Sequence, residues 1–281
     1  MDHDREPLPS RVDGLPALPV EALELLSRGL DSLGLDDLSD AVRTGLADHL
    51  RLLLAWNRAI NLSAIREPEA AVREHILDSL TAVPALRARR ITAVLDLGSG
   101  AGYPGLPLAL ALPARRTLLV ESVAKKARFL SAAAEVAAEV APGMAPGMAT
   151  DPQAASVDVF NGRAEELAAD PRHRARWPAV VARAIAPLAE LAELALPLVA
   201  PGGVLVAWKR SSLEAELAAA EPALVVLGGG RPTIIPITLA GLGDHVLVVI
   251  EKAGPTPAGY PRDPAQRRRQ PLLPGDRLPS P

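Results

Sequence analysis

A glycine-rich segment is the part of this sequence whose residue types and spacing best support chemistry. Its sequence is Asp96-Leu-Gly98-Ser-Gly100-Ala-Gly102-Tyr-Pro-Gly105. Glycines at this spacing let the backbone turn tightly and approach a ligand where a Cβ would be in the way. The segment follows a predicted strand and precedes a predicted helix, which is the context that a nucleotide-binding or nucleoside-binding loop requires.

Two ligand classes fit this loop, because Gly100, Gly102 and Gly105 also match the dinucleotide fingerprint. In a dinucleotide site the pyrophosphate lies over this turn, at the N-terminus of the helix. A carboxylate at Asp96 would be poorly placed beside a pyrophosphate. It suits a ligand with a cationic group there, such as the amino acid end of S-adenosylmethionine.

An acidic residue ends the strand that follows the loop. Glu121 comes 23 residues after Gly98 and can accept hydrogen bonds from both hydroxyls of a ribose. That contact fits either ligand class. Strand, glycine loop and acid together favour a nucleoside cofactor, although a lone acid at this position is more often a solvated loop residue.

Strands that alternate with helices must position these residues. We predict strands at 91–97, 117–121, 157–160, 179–183 and 204–208, and helices at 106–112, 125–140 and 188–199. This alternation predicts an α/β fold with a parallel sheet and right-handed crossovers. Two further strands, at 233–238 and 245–251, are predicted to form a C-terminal antiparallel hairpin.

Composition narrows the function classes. Cysteine is absent, which excludes disulfides and a cysteine nucleophile, and the five histidines show no metal-ligand spacing, so we predict no metal. The net charge of −3 means that a polyanion would have to be bound by a local basic patch. We find no apolar run long enough to cross a membrane and no secretory signal, so we expect a cytoplasmic protein without membrane contact. We also expect a monomer.

Several short motifs along the chain occur in a specific order. They are Trp56-Asn57-Arg58, Ile60-Asn61-Leu62, His75-Ile-Leu-Asp78-Ser79-Leu80, the glycine loop, Lys125-Lys126, Arg128-Phe129, Gly162-Arg163-Ala164-Glu165, Ala182-Arg183-Ala184, Ala207-Trp208-Lys209 and Tyr260-Pro261-Arg262. In order and spacing, residues 50–262 resemble the bacterial small-subunit rRNA methyltransferase G family, also called glucose-inhibited division protein B. The resemblance implies methyl transfer from S-adenosylmethionine to a guanine N7 in 16S rRNA, with free rRNA or the 30S ribosomal subunit as partner.

The resemblance also implies a fold and a domain organisation. The fold is a Rossmann-like class I methyltransferase sheet with the C-terminal hairpin and an N-terminal helical cap. The expected units are a disordered tail (1–17), the helical cap (18–88), the S-adenosylmethionine-binding domain (89–253) and a Pro/Arg-rich tail (254–281). Residues 141–155, which contain a Pro-Gly-Met-Ala repeat, are expected to form a surface insertion.

Site residues are carried over from the family by position. The implied cofactor contacts are Gly98, Tyr103, Glu121, Ser122, Val123, Ala164, Glu165 and Arg183, to which we add Asp96 and Gly100 from the loop itself. The expected contacts to substrate RNA are Arg58, Arg73, His75 and Lys209, with Arg183 beside them. Glu121 departs from the pattern, because such folds often have Asp there; the longer side chain still permits the ribose contact.

The expected chemistry needs no general base, because N7 of guanine already has an exposed lone pair. Catalysis would then rest on holding the methyl donor and the acceptor in line at short range. Other functions stay open on the same residues. They are a small-molecule or protein methyltransferase on the same fold, a nucleotide-binding dehydrogenase, and a binding module that keeps the glycine loop without catalysis.

Overall fold

A computed structural model of the chain describes residues 8–113, 116–140, 144–146 and 155–272. Its helices are α1 (Val20–Ser32), α2 (Asp40–Trp56), α3 (Pro68–Ala71), α4 (Asp78–Leu80), α5 (Val83–Ala88), α6 (Gly105–Ala111), α7 (Ala124–Val140), α8 (Ala164–Ala169), α9 (Leu188–Ala195), α10 (Glu214–Leu227) and α11 (Pro264–Arg269). Its strands are β1 (Ala93–Leu97), β2 (Arg116–Glu121), β3 (Met144–Pro146), β4 (Ala155–Asn161), β5 (Trp177–Arg183), β6 (Val199–Arg210), β7 (Thr233–Pro236) and β8 (His245–Glu251).

The strands form one sheet in the order β3-β4-β2-β1-β5-β6-β8-β7. From β3 to β6 all neighbours are parallel, whereas β8 runs antiparallel to both β6 and β7. The predicted α/β class, the parallel sheet and the C-terminal hairpin are therefore confirmed. Strand β3 was not predicted; it lies inside the expected surface insertion and extends the sheet at that edge.

The absence of polar alternation in the central strands follows from their burial on both faces. In β1, Val94 packs into the apolar cluster on one face of the sheet, while Leu95 and Leu97 pack into the cluster on the other. Successive side chains of a strand point to opposite faces, so a strand covered by helices on both sides must be apolar at nearly every position.

The N-terminal helices form the predicted cap. In α2 the residues Leu46, Leu50 and Leu53 are fully buried, as their helical spacing predicted. Within this cap, α3 is followed by a π-helical segment (Val72–Leu77) and then by α4. A π-helical turn changes the face that later side chains present, and such turns often occur at functional sites.

Part of the predicted disordered N-terminal tail is packed on this cap. The indole Nε1 of Trp56 donates to the carbonyl of Pro9 at 2.6 Å, and Arg51 donates to the carbonyl of Leu15 at 2.6 Å. The polar composition of the tail predicted disorder. Composition does not show that side chains of α2 donate hydrogen bonds to the backbone of the tail. Residues 1–7 lie outside the described part of the chain.

The Pro/Arg-rich C-terminal tail is packed on the domain up to residue 272. It contains α11 and lies against α9 through an ion pair between Arg262 and Glu193, with 2.6 Å between Nη2 and Oε2. Residues 273–281 are not described. None of the described helices combines the length and the apolar composition that a membrane-spanning segment requires.

Candidate cofactor and substrate site

The glycine loop connects the end of β1 to the start of α6, as predicted. Gly98, Gly100 and Gly102 have φ angles of +66°, +56° and +84°, which L side chains rarely adopt. Space is also limited, because a Cβ on Gly102 would lie 3.1 Å from Nε2 of His49. The loop therefore requires glycine both for its backbone conformation and for its contact with the cap.

Glu121 ends β2, and its two carboxylate oxygens bond the glycine loop and the turn that follows β2. Oε2 accepts from the backbone N–H of Gly100 at 3.0 Å, and Oε1 accepts from the backbone N–H of Val123 at 2.8 Å. Each carboxylate oxygen has a second acceptor site, so two remain for a ligand. Glu121 thus fixes the loop and can still receive hydrogen bonds from ribose hydroxyls.

Asp96 lies beneath the loop rather than in the cleft. Its carboxylate is fully buried, and Oδ2 accepts from the backbone N–H of Gly105, the first residue of α6, at 3.0 Å. Oδ1 has no hydrogen-bond partner among the described residues, and burial raises the pKa of Asp96 to about 7. This placement differs from the expected one beside a cationic ligand group, because the carboxylate is engaged in shaping the start of α6.

A cleft opens beside the loop at the carboxyl ends of the central strands. Four of the predicted cofactor residues line it, namely Gly98, Ser122, Ala164 and Glu165. It is also lined by residues that the sequence analysis did not assign to the site, among them Arg163, Ile185, Ala186, Glu190 and Arg267. Arg163 belongs to a motif quoted above, whereas Arg267 lies in the predicted tail and had no local signal.

Tyr103 lies between two imidazole rings. Its ring centroid is 4.4 Å from that of His49 and 4.9 Å from that of His75, and both pairs are stacked. The phenol is buried, which raises the pKa of Tyr103 above its ordinary value. Tyr103 therefore joins the loop to the cap, and its contact with the cofactor stays a prediction.

Both imidazoles are neutral at physiological pH. Burial lowers the pKa of His49 to about 4, and burial together with the Arg183 charge lowers the pKa of His75 to about 3. Nε2 of His49 donates to the carbonyl of Ala101 at 2.8 Å, and Nε2 of His75 lies 2.7 Å from Oγ of Ser63. The bond of His49 joins the cap to the loop, whereas the contact of His75 with Ser63 lies within the cap.

Arg183 extends from the end of β5 toward the cap. Its guanidinium donates to Oδ2 of Asp78 at 2.9 Å and to the carbonyl of Glu74 at 2.8 Å. Asp78 also accepts from Nδ1 of His245 at 2.9 Å, through its other oxygen. Arg183 is thus paired with the cap, and its predicted role as a cofactor contact stays a prediction.

The four residues predicted for RNA contact differ in availability. Arg58 is exposed, and Arg73 is half-buried against Gly241. His75 is half-buried in the stack with Tyr103. Lys209 differs from the expected free cation, because its ammonium donates to Oε1 of Glu216 at 2.5 Å and to the carbonyl of Ala186 at 2.8 Å.

Comparison with known proteins decides the family. A family model described as rRNA small subunit methyltransferase G matches residues 43–141 and 148–239. The chain belongs to this family. A family member of Deinococcus radiodurans is 42% identical over 259 residues, covering 92% of this chain and 95% of the relative. Another, of Roseiflexus sp. strain RS-1, is 40% identical over 220 residues, covering 78% and 87%.

Membership in the rRNA small subunit methyltransferase G family confirms the resemblance and the enzyme class predicted from the sequence. The chain is a methyltransferase, and S-adenosylmethionine is its cofactor. The dehydrogenase alternative is thereby set aside. In the described part of the chain, no group of three or more potential metal ligands lies together.

Proposed function

We propose that this methyltransferase transfers the methyl group of S-adenosylmethionine to N7 of a guanine in 16S rRNA, acting on free rRNA or on the 30S subunit. Family membership over most of the chain carries the substrate class. The pairing of Glu121 with the glycine loop, which leaves acceptor sites on its carboxylate, supports the cofactor site. The enzyme would act in the cytoplasm and as a monomer.

The residues of the cleft fit this cofactor. Gly98 exposes backbone next to the side chain of Ile185, so that a Cβ there would lie 3.0 Å from Ile185 and narrow the cleft. Glu121 offers acceptors for the ribose, and Ser122 and Ala164 line the cleft beside it. Bound in this cleft, S-adenosylmethionine supplies an electrophilic methyl group on a sulfonium.

The titratable groups near the loop support a reaction without a general base. N7 of neutral guanine carries no proton, so no side chain has to remove one. Nε2 of His49 and Nε2 of His75 are engaged by partners, and Asp96 is fully buried. The protein's contribution is then to hold the two reactants in position and to exclude water.

One carboxylate is best placed to favour positive charge in the cleft. Glu165 is neutralised by Arg267, with 2.6 Å between Oε1 and Nη2. Asp96 is not accessible from the cleft, and its raised pKa leaves it partly protonated at neutral pH. Glu121 has no basic side chain among its described partners, so its charge can stabilise the cationic methylated base.

Several basic side chains at the same edge can receive RNA phosphates; Lys125 and Arg163 are exposed and Lys126 is half-buried. Lys125 and Lys126 follow β2, and Arg163 follows β4, the neighbouring parallel strand. None of these three, nor Arg58, forms an ion pair with any described residue. They complement Arg58 in the proposed RNA surface, in which Lys209 has no part.

The deciding experiment is transfer of a tritiated methyl group to purified 30S subunits and to naked 16S rRNA, followed by nucleoside analysis. We expect label in 7-methylguanosine from one or both substrates, and none with 16S rRNA that is already methylated. Label at a ribose, at an exocyclic amine or only in protein would refute the proposed reaction. Thermal stabilisation by S-adenosylhomocysteine and not by NAD would separately establish the cofactor class.

A further inference from the structure

The chain segment that follows β8 returns to the cofactor cleft. Asp263 caps α11 by accepting from the backbone N–H groups of Ala265 and Gln266 at 2.9 and 3.0 Å. Just before this cap, Arg262 donates from its backbone N–H and its Nε to Oε1 of Glu193 at 2.9 and 2.8 Å. Arg262 and Glu193 have side chains that are 10% and 3% exposed, so this anchor is buried.

The anchor places Arg267 in the wall of the cleft. Nη2 of Arg267 donates to Oε1 of Glu165 at 2.6 Å, and Nη1 donates to the carbonyl of Arg262 at 2.6 Å. Its Nε lies 3.6 Å from Oε1 of Glu190. Arg267, Glu165 and Glu190 all line the cleft, and the side chain of Arg267 is only 8% exposed.

The neighbours of Arg267 show that this placement is specific. Arg268 and Arg269 are exposed and form no ion pair with a described residue. Three consecutive arginines thus divide into one buried side chain at the cleft and two solvated ones. A solvated charged tail would not bury one guanidinium between a carboxylate and a carbonyl acceptor.

We propose that Arg267 is a positioning residue of the cofactor site, which holds the Glu165 carboxylate in the wall of the cleft. The C-terminal segment is then part of the site and not an appendage. The inference rests on the proposed function, because the cleft must bind S-adenosylmethionine. In the sheet, β4 is the neighbour of β2 on the side away from β1 and its glycine loop. Glu165 follows β4, so the pair of Arg267 and Glu165 borders the adenosine half of the ligand.

The test is calorimetric binding of S-adenosylhomocysteine and of 5′-methylthioadenosine, which lacks the amino acid end, to the full-length protein without RNA. We expect Arg267→Ala to raise the Kd of both ligands by about 10-fold, as for loss of one charge-assisted hydrogen bond. Arg267→Lys should recover part of the affinity, because it keeps the charge without the planar fork. Arg268→Ala removes the same charge one residue away and should leave both Kd values unchanged.

Glu165→Gln removes the charge of the other member of the pair, and it provides the test if Arg267→Ala does not fold. It should weaken binding by a similar factor, and the double variant should be no weaker than either single one. At saturating RNA, both variants should raise the KM for the methyl donor and leave kcat within about twofold, which a general loss of stability would not do.

Wild-type protein separates the two claims. If it binds neither ligand, the proposed function fails. If it binds both while Arg267→Ala and Glu165→Gln equal Arg268→Ala, the function stands and the positioning role is overturned. A loss confined to S-adenosylhomocysteine would also overturn it, because the pair would then not border the adenosine half.

Discussion

Replacing Glu121 by glutamine tests the cofactor site most directly. The amide keeps the size of the side chain and one oxygen acceptor. Its NH₂ group replaces the other carboxylate oxygen, so that one of the two bonded backbone N–H groups loses its acceptor. The carboxylate has two acceptor sites left after the bonds to Gly100 and Val123. Ribose hydroxyls bonded to a charged acceptor are worth about 1.5–3 kcal/mol, and the variant loses at least that interaction.

Glu121→Gln should therefore raise the Kd for S-adenosylhomocysteine by about 10- to 150-fold, since 1.4 kcal/mol is a factor of ten. The assay is isothermal titration calorimetry, with thermal unfolding of the free protein measured alongside. Lower stability is expected too, because one buried backbone donor loses its acceptor. Glu135, an exposed residue of α7, provides the matched control through Glu135→Gln.

A Kd within twofold of wild type for Glu121→Gln would refute the reasoning. It would mean that the carboxylate acts only on the loop backbone and that the ribose is held elsewhere. Weaker binding by both variants would equally contradict it, because the effect would then follow the net charge of the protein and not the position of Glu121.

Three further predictions follow from the site. Because burial raises the pKa of Asp96 to about 7, its contribution to stability is present below about pH 4 and is lost as pH rises toward 7. From pH 4 to 7, the free energy of unfolding of Asp96→Asn should therefore rise relative to that of wild type, by at most about 4 kcal/mol. Urea titrations that give a constant difference over this range would contradict the prediction. Arg58→Ala should lower the slope of log Kd for RNA against log salt by roughly one unit, whereas Lys209→Ala, whose ammonium is paired, should not; equal slopes for both variants would argue against the surface. Single-turnover methyl transfer at saturating substrates should be nearly flat from about pH 6.5 to 8.5, and a tenfold rise per pH unit would show that a proton must leave.

Sequence patterns predicted the parts of the molecule that depend on local order. The central strands were identifiable because burial on both faces makes them apolar at nearly every position, as in β1, where Asp96 is the exception. Glu121 was identifiable because a strand, a glycine loop and an acid at a fixed distance constrain one another. The glycine positions followed from backbone geometry that no other residue adopts easily.

Other features depend on partners that are distant in the chain. Lys209 follows the predicted strand 204–208, which suggested a free cation, but it lies within β6 and pairs with Glu216 on α10. Arg183 is paired with Asp78, 105 positions away, and Arg267 with Glu165, 102 positions away. Composition predicted disorder for the N-terminal tail, because composition does not include the donors that the folded domain offers to its backbone.

The buried pair of Arg262 and Glu193 has a consequence for the order of events during synthesis. Ribosomes extend a chain from its N-terminus, so α8 and α9 emerge before the segment that carries Arg262 and Arg267. Until that segment arrives, Glu193 has no cationic partner, and a buried carboxylate without one is costly. A nascent chain that ends after β8 therefore lacks the partner of buried Glu193, and the packing of α9 is completed only once the following residues have left the ribosome.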